Sequence, residues 1–594
     1  MMLGEVSVHN LFKAPPVVEF LPLATHCSDC GIKLTVQKAR TRKVNTLHVG
    51  RFTAHEVFMT CKRCGHTYRS EELCALVPPG ANFGYDVMSY AGKALFIRHR
   101  NEAEVVAELA LMNIQISLRE VSLLGMKFVV YLAVAHQRRA PEITIDMQSR
   151  GGYICHLDAT CEGGDPLLMS SLDSLSGIVL GNAKMPTEGE AHIVPFLERI
   201  KKNFGIPIAL VHDMGRGILK SVAKVFPAVS DFICHFHFLR DIGKDYLGTE
   251  YQIIRNRLKK HGVSSALHYR AKQLKQNFKG DASLLKALAA GIENAALPIE
   301  VLKSVPAIGG YTLIQWALKG KKTGNGYGFP FDRSHLTFAN RLRSLYYHIG
   351  FIQETYLRGQ WRDNSPYGKI RIALKSIMDD KILWKAVESI EEKILVFDKL
   401  RKAMRIAPQS SRNGLNDTGA DYKIKAIEVR VKKFRIWLTK QKDYGQNKDS
   451  RNMVKQIDKY WEKLFADPIT VQATSGPIQI QPQRTNNILE QFFRSLKRVN
   501  RRKTGNASSR RMLCTILAET PLVRNLNNPS YMKILLNGKA SIEEVFADID
   551  IETLREELQK ARNSPGQIPS ELKPLIAMKD YPEKFVAMIE RAVR

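Results

Sequence analysis

Between residues 151 and 238 the chain switches repeatedly between strand-like and helix-like periods, and few architectures accommodate the order in which it does so. GGYICHLDA, LLMSSL and SGIVLGNA are short apolar runs bounded by turn residues, so each is expected to be a strand. TEGEAHIVPFLERIKKNF then spaces its apolar residues as one face of a helix, PIALVHD reads as a fourth strand, GRGILKSVAKVF as a second helix, and DFICHFHF as a fifth strand. PEITIDM, just upstream, reads as a lead-in to this segment.

Strand-strand-strand-helix-strand-helix-strand is the order of a ribonuclease H-like domain. In that order an acid on the first strand lies mid-sheet, and an acid just past the fourth strand lies beside it. Asp158 and Asp213 occupy those two places. A third acid, Glu490, stands far downstream in TNNILEQFFRSLKR, a strongly basic helical segment. At 100° per residue Glu490, Arg494, Lys497 and Arg501 form one stripe, with Leu489, Phe492, Phe493 and Leu496 on the buried side. Carboxylates gathered in this way can hold a pair of Mg²⁺ (or Mn²⁺) ions about 3.5–4 Å apart for phosphoryl transfer. Asp146, Glu162 and Asp165 are nearby acids; Asp158 is preferred because it closes the apolar strand. The plain alternatives are a turn-forming or capping aspartate, and for Glu490 a surface pair with Arg494.

The charge balance names a partner. The chain has 89 Lys+Arg against 58 Asp+Glu, a formal charge of +31. Such an excess gains free energy by releasing counterions from a polyanion, so DNA is expected, with Arg494, Lys497, Arg498, Arg501, Arg502 and Lys503 along its backbone. No apolar run reaches the roughly 18 residues that span a bilayer; the richest, Met126 to Ala135, has the length of a buried helix. The opening MMLGEVSVHN lacks the pattern of a secretory signal, so a cytoplasmic or nucleoid location is expected, or a nuclear one in a eukaryotic host.

Four of the nine cysteines form two CxxC pairs, Cys27–Cys30 and Cys61–Cys64, each followed by glycine, Gly31 and Gly65. In a reducing compartment this spacing favours tetrahedral Zn²⁺ over disulfides. The segment between the pairs alternates like a hairpin, which predicts a zinc ribbon; His26, His66 and Cys74 are spare ligands.

At 594 residues several cores are expected. Residues 85–138 read as helices: Ser117-Leu-Arg-Glu120 is a capping box opening the longest, and the preceding helix and short turn fit a helix-turn-helix DNA reader or a plain packing hairpin. Residues 241 to about 470 read almost wholly as helix, broken near Gly320–Gly326 and in SSRNGLNDTGAD. ATSGPIQIQPQ reads as an extended linker, and helix resumes from Glu490 to the end. Trp361, between Arg358 and Arg362, could stack on an unpaired base or sit in a core.

These residues together resemble the DDE transposases of the Mutator and IS256-like superfamily, over roughly 141–250 and 480–515. Asp213-Met-Gly, Phe226-Pro-Ala228 and Cys234-His-Phe-His237 look like that group's second aspartate and its Cys-x-x-His element, and TNNILEQFFRSLKR looks like its glutamate helix. The resemblance implies a ribonuclease H-like core (141–245), a helical insertion (246–470) and a closing helix with the third acid (471–515); with the zinc ribbon (1–78), the helix-turn-helix-like segment (79–140) and a C-terminal helical segment (516–594) read from the residues, a multidomain α/β and α chain is expected. It further implies metal-dependent cleavage at transposon terminal inverted repeats, strand transfer into target DNA, and work as a homo-oligomer. Cys234 and His237 would then be structural residues near the site. The amino-terminal ribbon and helices depart from the usual bacterial pattern. Two rival readings share the motifs: a transposon-derived DNA-binding regulator without catalysis, and a ribonuclease H-like nuclease without strand transfer.

Overall fold

The computed structural model describes residues 15–162, 166–278, 282–294, 305–355, 365–407, 424–506, 508–562 and 572–593. The chain is mixed α/β and mostly helical, and divides into two compact units, one formed by 1–232 with 468–594, the other by 233–467. Trp361 with its flanking arginines, Asp165 and SSRNGLNDTGAD lie outside the described residues.

The first unit opens with β1 (Val17–Phe20), β2 (Thr35–Asn45), β3 (Arg51–Thr60) and β4 (Thr67–Tyr68). β2 and β3 form the expected antiparallel hairpin, Thr35 opposite Thr60, and β1 runs parallel to β3 on its other side. Helices α1 (Glu71–Leu76), α2 (Tyr85–Phe96), α3 (Glu102–Leu111), α4 (Leu118–Arg138) and α5 (Ala140–Ser149) follow. Ser117 Oγ accepts the Glu120 N–H at 3.2 Å, and the complete reciprocal capping box forms one helix earlier, between Asn101 and Glu104. α5 contains PEITIDM, the lead-in to the strands. Its Ile143 and Met147 are buried at helical spacing from Ala140, Ile145 points to solvent, and Pro141 sits in the first turn where its missing N–H costs nothing.

Next come β5 (Ile154–Thr160), β6 (Leu167–Asp173), β7 (Val179–Met185), α6 (Glu190–Phe204), β8 (Ala209–His212), α7 (Arg216–Val225) and β9 (Asp231–Ile233). They build one five-stranded sheet in the order β7-β6-β5-β8-β9. β5 is its middle strand, antiparallel to β6 and parallel to β8. β5, β6 and β8 are buried almost throughout, as expected for strands covered on both faces. One face packs into a large core with α2, α4, α6 and α7. Ile154, Ala209 and Val211 on the other face meet Ile469 and Ile480.

The second unit is helical among the described residues: α8 (His235–Lys260), α9 (Val263–Gln276), α10 (Ala282–Glu293), α11 (Val305–Lys319), α12 (Ser334–Thr355), α13 (Pro366–Met378), α14 (Lys381–Met404), α15 (Ile424–Thr439), α16 (Lys448–Lys459) and α17 (Trp461–Leu464). Asp380 accepts from Arg257 and His261 at 2.6 and 2.7 Å, and Arg333 reaches Asp398 at 3.0 Å. α8 corrects the expected fifth strand. Only Asp231–Ile233 is extended, because His235, Phe238, Leu239, Ile242 and Tyr246 are buried at three- and four-residue spacing, which a helix satisfies and a strand does not.

The chain returns to the first unit as β10 (Ile469–Ala473), β11 (Gly476–Ile480), α18 (Asn487–Thr504), α19 (Arg510–Thr515), a 3₁₀ segment (Thr520–Asn527), α20 (Pro529–Leu536), α21 (Ile542–Ala547), α22 (Ile551–Arg562), α23 (Leu572–Ile576) and α24 (Tyr581–Val593). β10 and β11 pair antiparallel around Gly476 at φ +107°, so most of the predicted linker is a hairpin. Its alternation places Ile469 and Ile480 against the sheet, and Thr474 is fastened to Ser149 O by its N–H and Oγ1. The C-terminal part closes the core: His136 Nε2 donates to Leu180 O and Nδ1 accepts from the Tyr531 hydroxyl, each at 3.1 Å, joining α4, β7 and α20. Among the described residues no helix is long and apolar enough to cross a membrane.

Candidate functional site

Asp158 lies on β5, where Ile154, His156 and Asp158 share a face by strand alternation. Its side chain is buried, with 5 % of the residue exposed, and Oδ1 accepts the Ala159 N–H at 2.8 Å. Asp213 follows the last residue of β8, the parallel neighbour of β5, and its Oδ1 accepts the Gly215 N–H at 3.1 Å. A position just past a strand end, held by a turn amide, keeps this carboxylate at the mouth of the sheet.

Glu490 is delivered by one residue. Asn486, fully buried in the position before α18, makes no side-chain cap to its own helix. Its amide is spent on β5 instead: Nδ2 donates to Leu157 O at 2.7 Å, and Oδ1 lies 2.8 Å from His156 Nδ1. Since the amide oxygen can only accept, His156 carries its proton on Nδ1. The first turn of α18 is thus bolted to the residues just before Asp158, and the Glu490 N–H bonds to Asn486 O at 3.1 Å. A second tie lies beyond: Glu162 accepts from both the N–H and Oγ of Ser509.

The carboxylates feel one another. Burial first, then Asp213, and further Glu490 and Glu188, push the Asp158 carboxyl well above its usual range, against the single Ala159 amide. Glu188 is the member of this group that sequence reasoning missed. It sits between β7 and α6, and burial followed by Asp213 raises its carboxyl too. A Cβ on Gly215 would stand 3.2 Å from Glu188 Oε2 and 3.3 Å from Asp213 Oδ1, and one on Gly217 would collide with the Glu188 carbonyl oxygen. The two glycines let the turn close onto Glu188. In the sequence, Glu188 in KMPTEGEAH is indistinguishable from an ordinary acid near a helix start.

Glu490 also makes the plain surface contact, its Oε2 lying 3.4 Å from Arg494 Nη2. Among the described residues, the clusters whose ligand atoms all fall within 4.8 Å of one another are both at the cysteines; the carboxylates do not close that far. The other nearby acids are otherwise engaged: Asp146 pairs with Arg150, and Glu162 holds Ser509.

On α18 the side chains of Arg494, Lys497, Arg498, Arg501 and Arg502 are exposed, and Leu489, Phe492 and Phe493 are buried as the stripe requires. Lys503 departs from the expected backbone-facing set. It is half-buried, its ammonium 5.6 Å from the Phe96 ring. Cys234 and His237 lie in the second unit at the start of α8, Cys234 fully buried and His237 half-buried with Nδ1 unpaired. Among the described residues they join no group of metal-ligating atoms.

The cysteine cluster is explicit. The sulfurs of Cys27, Cys30, Cys61 and Cys64 lie within 4.8 Å of one another and could hold zinc. Gly31 and Gly65, at φ +68° and +73°, turn their N–H groups back to Cys27 O and Cys61 O at 3.0 and 2.8 Å, the left-handed turns that let each CxxC pair present both sulfurs. Four thiols at this distance resist shared ionisation. The neighbouring sulfurs and burial push Cys64 up to about 12, whereas the Tyr68 hydroxyl, ahead of nearby backbone amides, brings Cys27 down to about 6. A bound divalent cation would remove that conflict. Of the spare ligands, His66 lies 2.8 Å from Asp29, and these two with Cys27 form a second group whose ligand atoms fall within 4.8 Å of one another, whereas Cys74 stands apart on α1.

No protein-family model matches the chain, and neither does any curated protein.

Proposed function

We propose that the protein is a DDE-type DNA transposase, as its resemblance to the Mutator and IS256-like superfamily implies, with a ribonuclease H-like core interrupted by the second unit. The observation that supports this reading is the gathering of three sequence-distant acids: Asp158 on the middle strand, Asp213 just past the end of the adjoining parallel strand, and Glu490 on a helix bolted to β5 by Asn486. A buried carboxylate crowded by like charges is costly unless a proton or cation compensates it, so the donor set suits Mg²⁺ or Mn²⁺. Asp158, Asp213 and Glu490 would hold the metal, which when bound supplies Lewis acidity to the scissile phosphate and an activated water. Glu188 adds negative charge at the same place.

The exposed cations beyond Glu490 hold the phosphodiester backbone along α18, and the +31 excess supplies affinity that falls with salt. In the proposed reaction, water attacks phosphorus at the element end and the P–O3′ bond breaks, leaving a 3′-hydroxyl. That hydroxyl then attacks a target phosphodiester, forming a new P–O3′ bond and expelling the target's 3′-oxygen. The cysteine cluster, with zinc bound, would hold the amino-terminal hairpin rigid, and α3 and α4 would read the terminal repeat.

The test is a joining assay with labelled element ends, Mg²⁺ and a target plasmid. Joined products are expected, and Asp158→Asn, Asp213→Asn and Glu490→Gln should each abolish them. Cleavage without joining would identify a nuclease, DNA binding without either a regulator, and normal joining by a variant would remove that acid from the triad.

A further inference from the structure

The face of α18 turned away from Glu490 borders a groove of about 1130 Å³. Its other walls are the end of α2, the start of α3, the middle of α4, α19 and the 3₁₀ segment. The volume exceeds the roughly 300–1,000 Å³ of a small-molecule pocket, so the space suits a length of chain. Its walls are mixed: Phe96, Met126 and Leu496 supply apolar surface beside polar side chains such as Gln491 and Asn500, and three cations enter it, Lys503, Arg511 and Arg524.

These cations are short of partners. Among the described residues, Lys503 and Arg524 have no ion pair and no hydrogen-bond acceptor. Each instead lies over a ring, Lys503 by Phe96 at 5.6 Å and Arg524 by Phe492 at 5.3 Å. The Nδ1 of His99, also on the wall, is buried with no hydrogen-bond partner. Glu102 is the one carboxylate on the lining, and it is solvent-exposed. Cations set over ring faces, with apolar and hydrogen-bonding side chains beside them, match a ligand with a repeating anionic edge and flat groups that carry polar edges. A duplex buries its bases and offers only the first of these features, whereas an unpaired strand offers both.

We propose that this groove holds an unpaired stretch of DNA, its phosphates on Lys503 and Arg524 and its bases against the apolar side chains of the wall. Lys503 lies about 140° around α18 from Glu490 at 100° per residue. The helix therefore separates two tracks, the Glu490–Arg501 stripe outside and the groove behind. The inference rests on the DNA partner of the proposed function and not on its chemistry.

The experiment is fluorescence anisotropy of the full chain with a labelled mixed-sequence single strand and, separately, a blunt duplex, in EDTA across a salt series. Lys503→Gln with Arg524→Gln should weaken single-strand binding about tenfold and lower its salt slope by about 1.4, at about 0.7 per lost phosphate contact. Duplex affinity should stay within about twofold, and Arg524→Lys should recover part of the single-strand loss because it keeps the charge. If the double variant melts early, Lys503→Gln alone, which removes no core side chain, carries the test. Unchanged single-strand affinity, an equal loss on both probes, or displacement of the strand by polyglutamate as readily as by unlabelled strand would overturn the proposal; the last would identify an acidic-peptide groove. Because binding is read without divalent metal, a protein that fails to join DNA yet shows this discrimination would sink the catalytic reading and leave the groove standing.

Discussion

Asn486 and His156, far apart in sequence, are joined in the core by a 2.8 Å hydrogen bond, and the same asparagine amide donates to Leu157 O. This one side chain fixes where α18 begins, and so where Glu490 stands relative to Asp158. Replacing Asn486 by Ala should destabilise the protein by about 2–6 kcal/mol, because it leaves two buried polar groups on β5 unpaired at about 1–3 kcal/mol each. Joining should fall more steeply than stability does. Urea midpoints and joining rates measured on the same preparations would separate the effects; a variant that is destabilised but joins normally would show that the bond does not position Glu490.

Asp158 is buried among acids, and its carboxyl is raised chiefly by burial and then by Asp213. A group whose folded pKa lies above its unfolded value stabilises the fold when protonated, and that stability is lost as pH rises through the folded pKa. At neutral pH without metal, Asp158→Asn should therefore raise stability while abolishing joining. Added Mg²⁺ should stabilise the wild type and not the variant. Equal melting temperatures for both proteins in EDTA, with no response to Mg²⁺, would count against a metal site at Asp158.

Metal analysis of the purified chain should find about one zinc, lost in Cys27→Ser and Cys61→Ser. Since Cys27, Cys61 and Leu34 form a small core of their own, chelation should increase proteolysis in residues 15–68 and spare the five-stranded sheet. Folded, protease-resistant, zinc-free protein would discard the site.

His136 is fully buried and burial brings it down to about 4, from the usual 6.5. The unfolded chain then binds the extra proton between those values, so stability is lost as pH falls from about 6.5 to about 4, by about 3 kcal/mol from this residue. Denaturant midpoints across that window should drop in the wild type and drop less in His136→Gln, which lacks the titrating ring. Parallel slopes in the two proteins would assign the acid sensitivity to other groups.

Much of the local structure was legible because local periodicity reports local burial. The apolar runs at Ile154–Thr160, Leu167–Asp173 and Ala209–His212 are strands, the CxxC–Gly pairs are turns with four converging sulfurs, and the Glu490 helix buries Leu489, Phe492 and Phe493. PEITIDM, read only as a lead-in to the strands, is helical because the core accepts Ile143 and Met147 and leaves Ile145 in solvent. Where the reading failed, two periods competed within a few residues. In DFICHFHF the helical spacing that continues to Tyr246 overrides the local alternation.

Residue types and spacing alone determined the cationic surface, the cysteine cluster and the short list of acids, because charge and ligand chemistry belong to the side chains themselves. Only the tertiary structure decided that Asn486 would leave its own helix uncapped to hold β5, that Glu188 would join Asp158 and Asp213, and that Lys503 would meet the Phe96 ring. Each of those outcomes depends on which distant backbone carbonyl, carboxylate or ring a polar group meets once the core has closed. That is set by the packing of whole elements, and no local pattern encodes it.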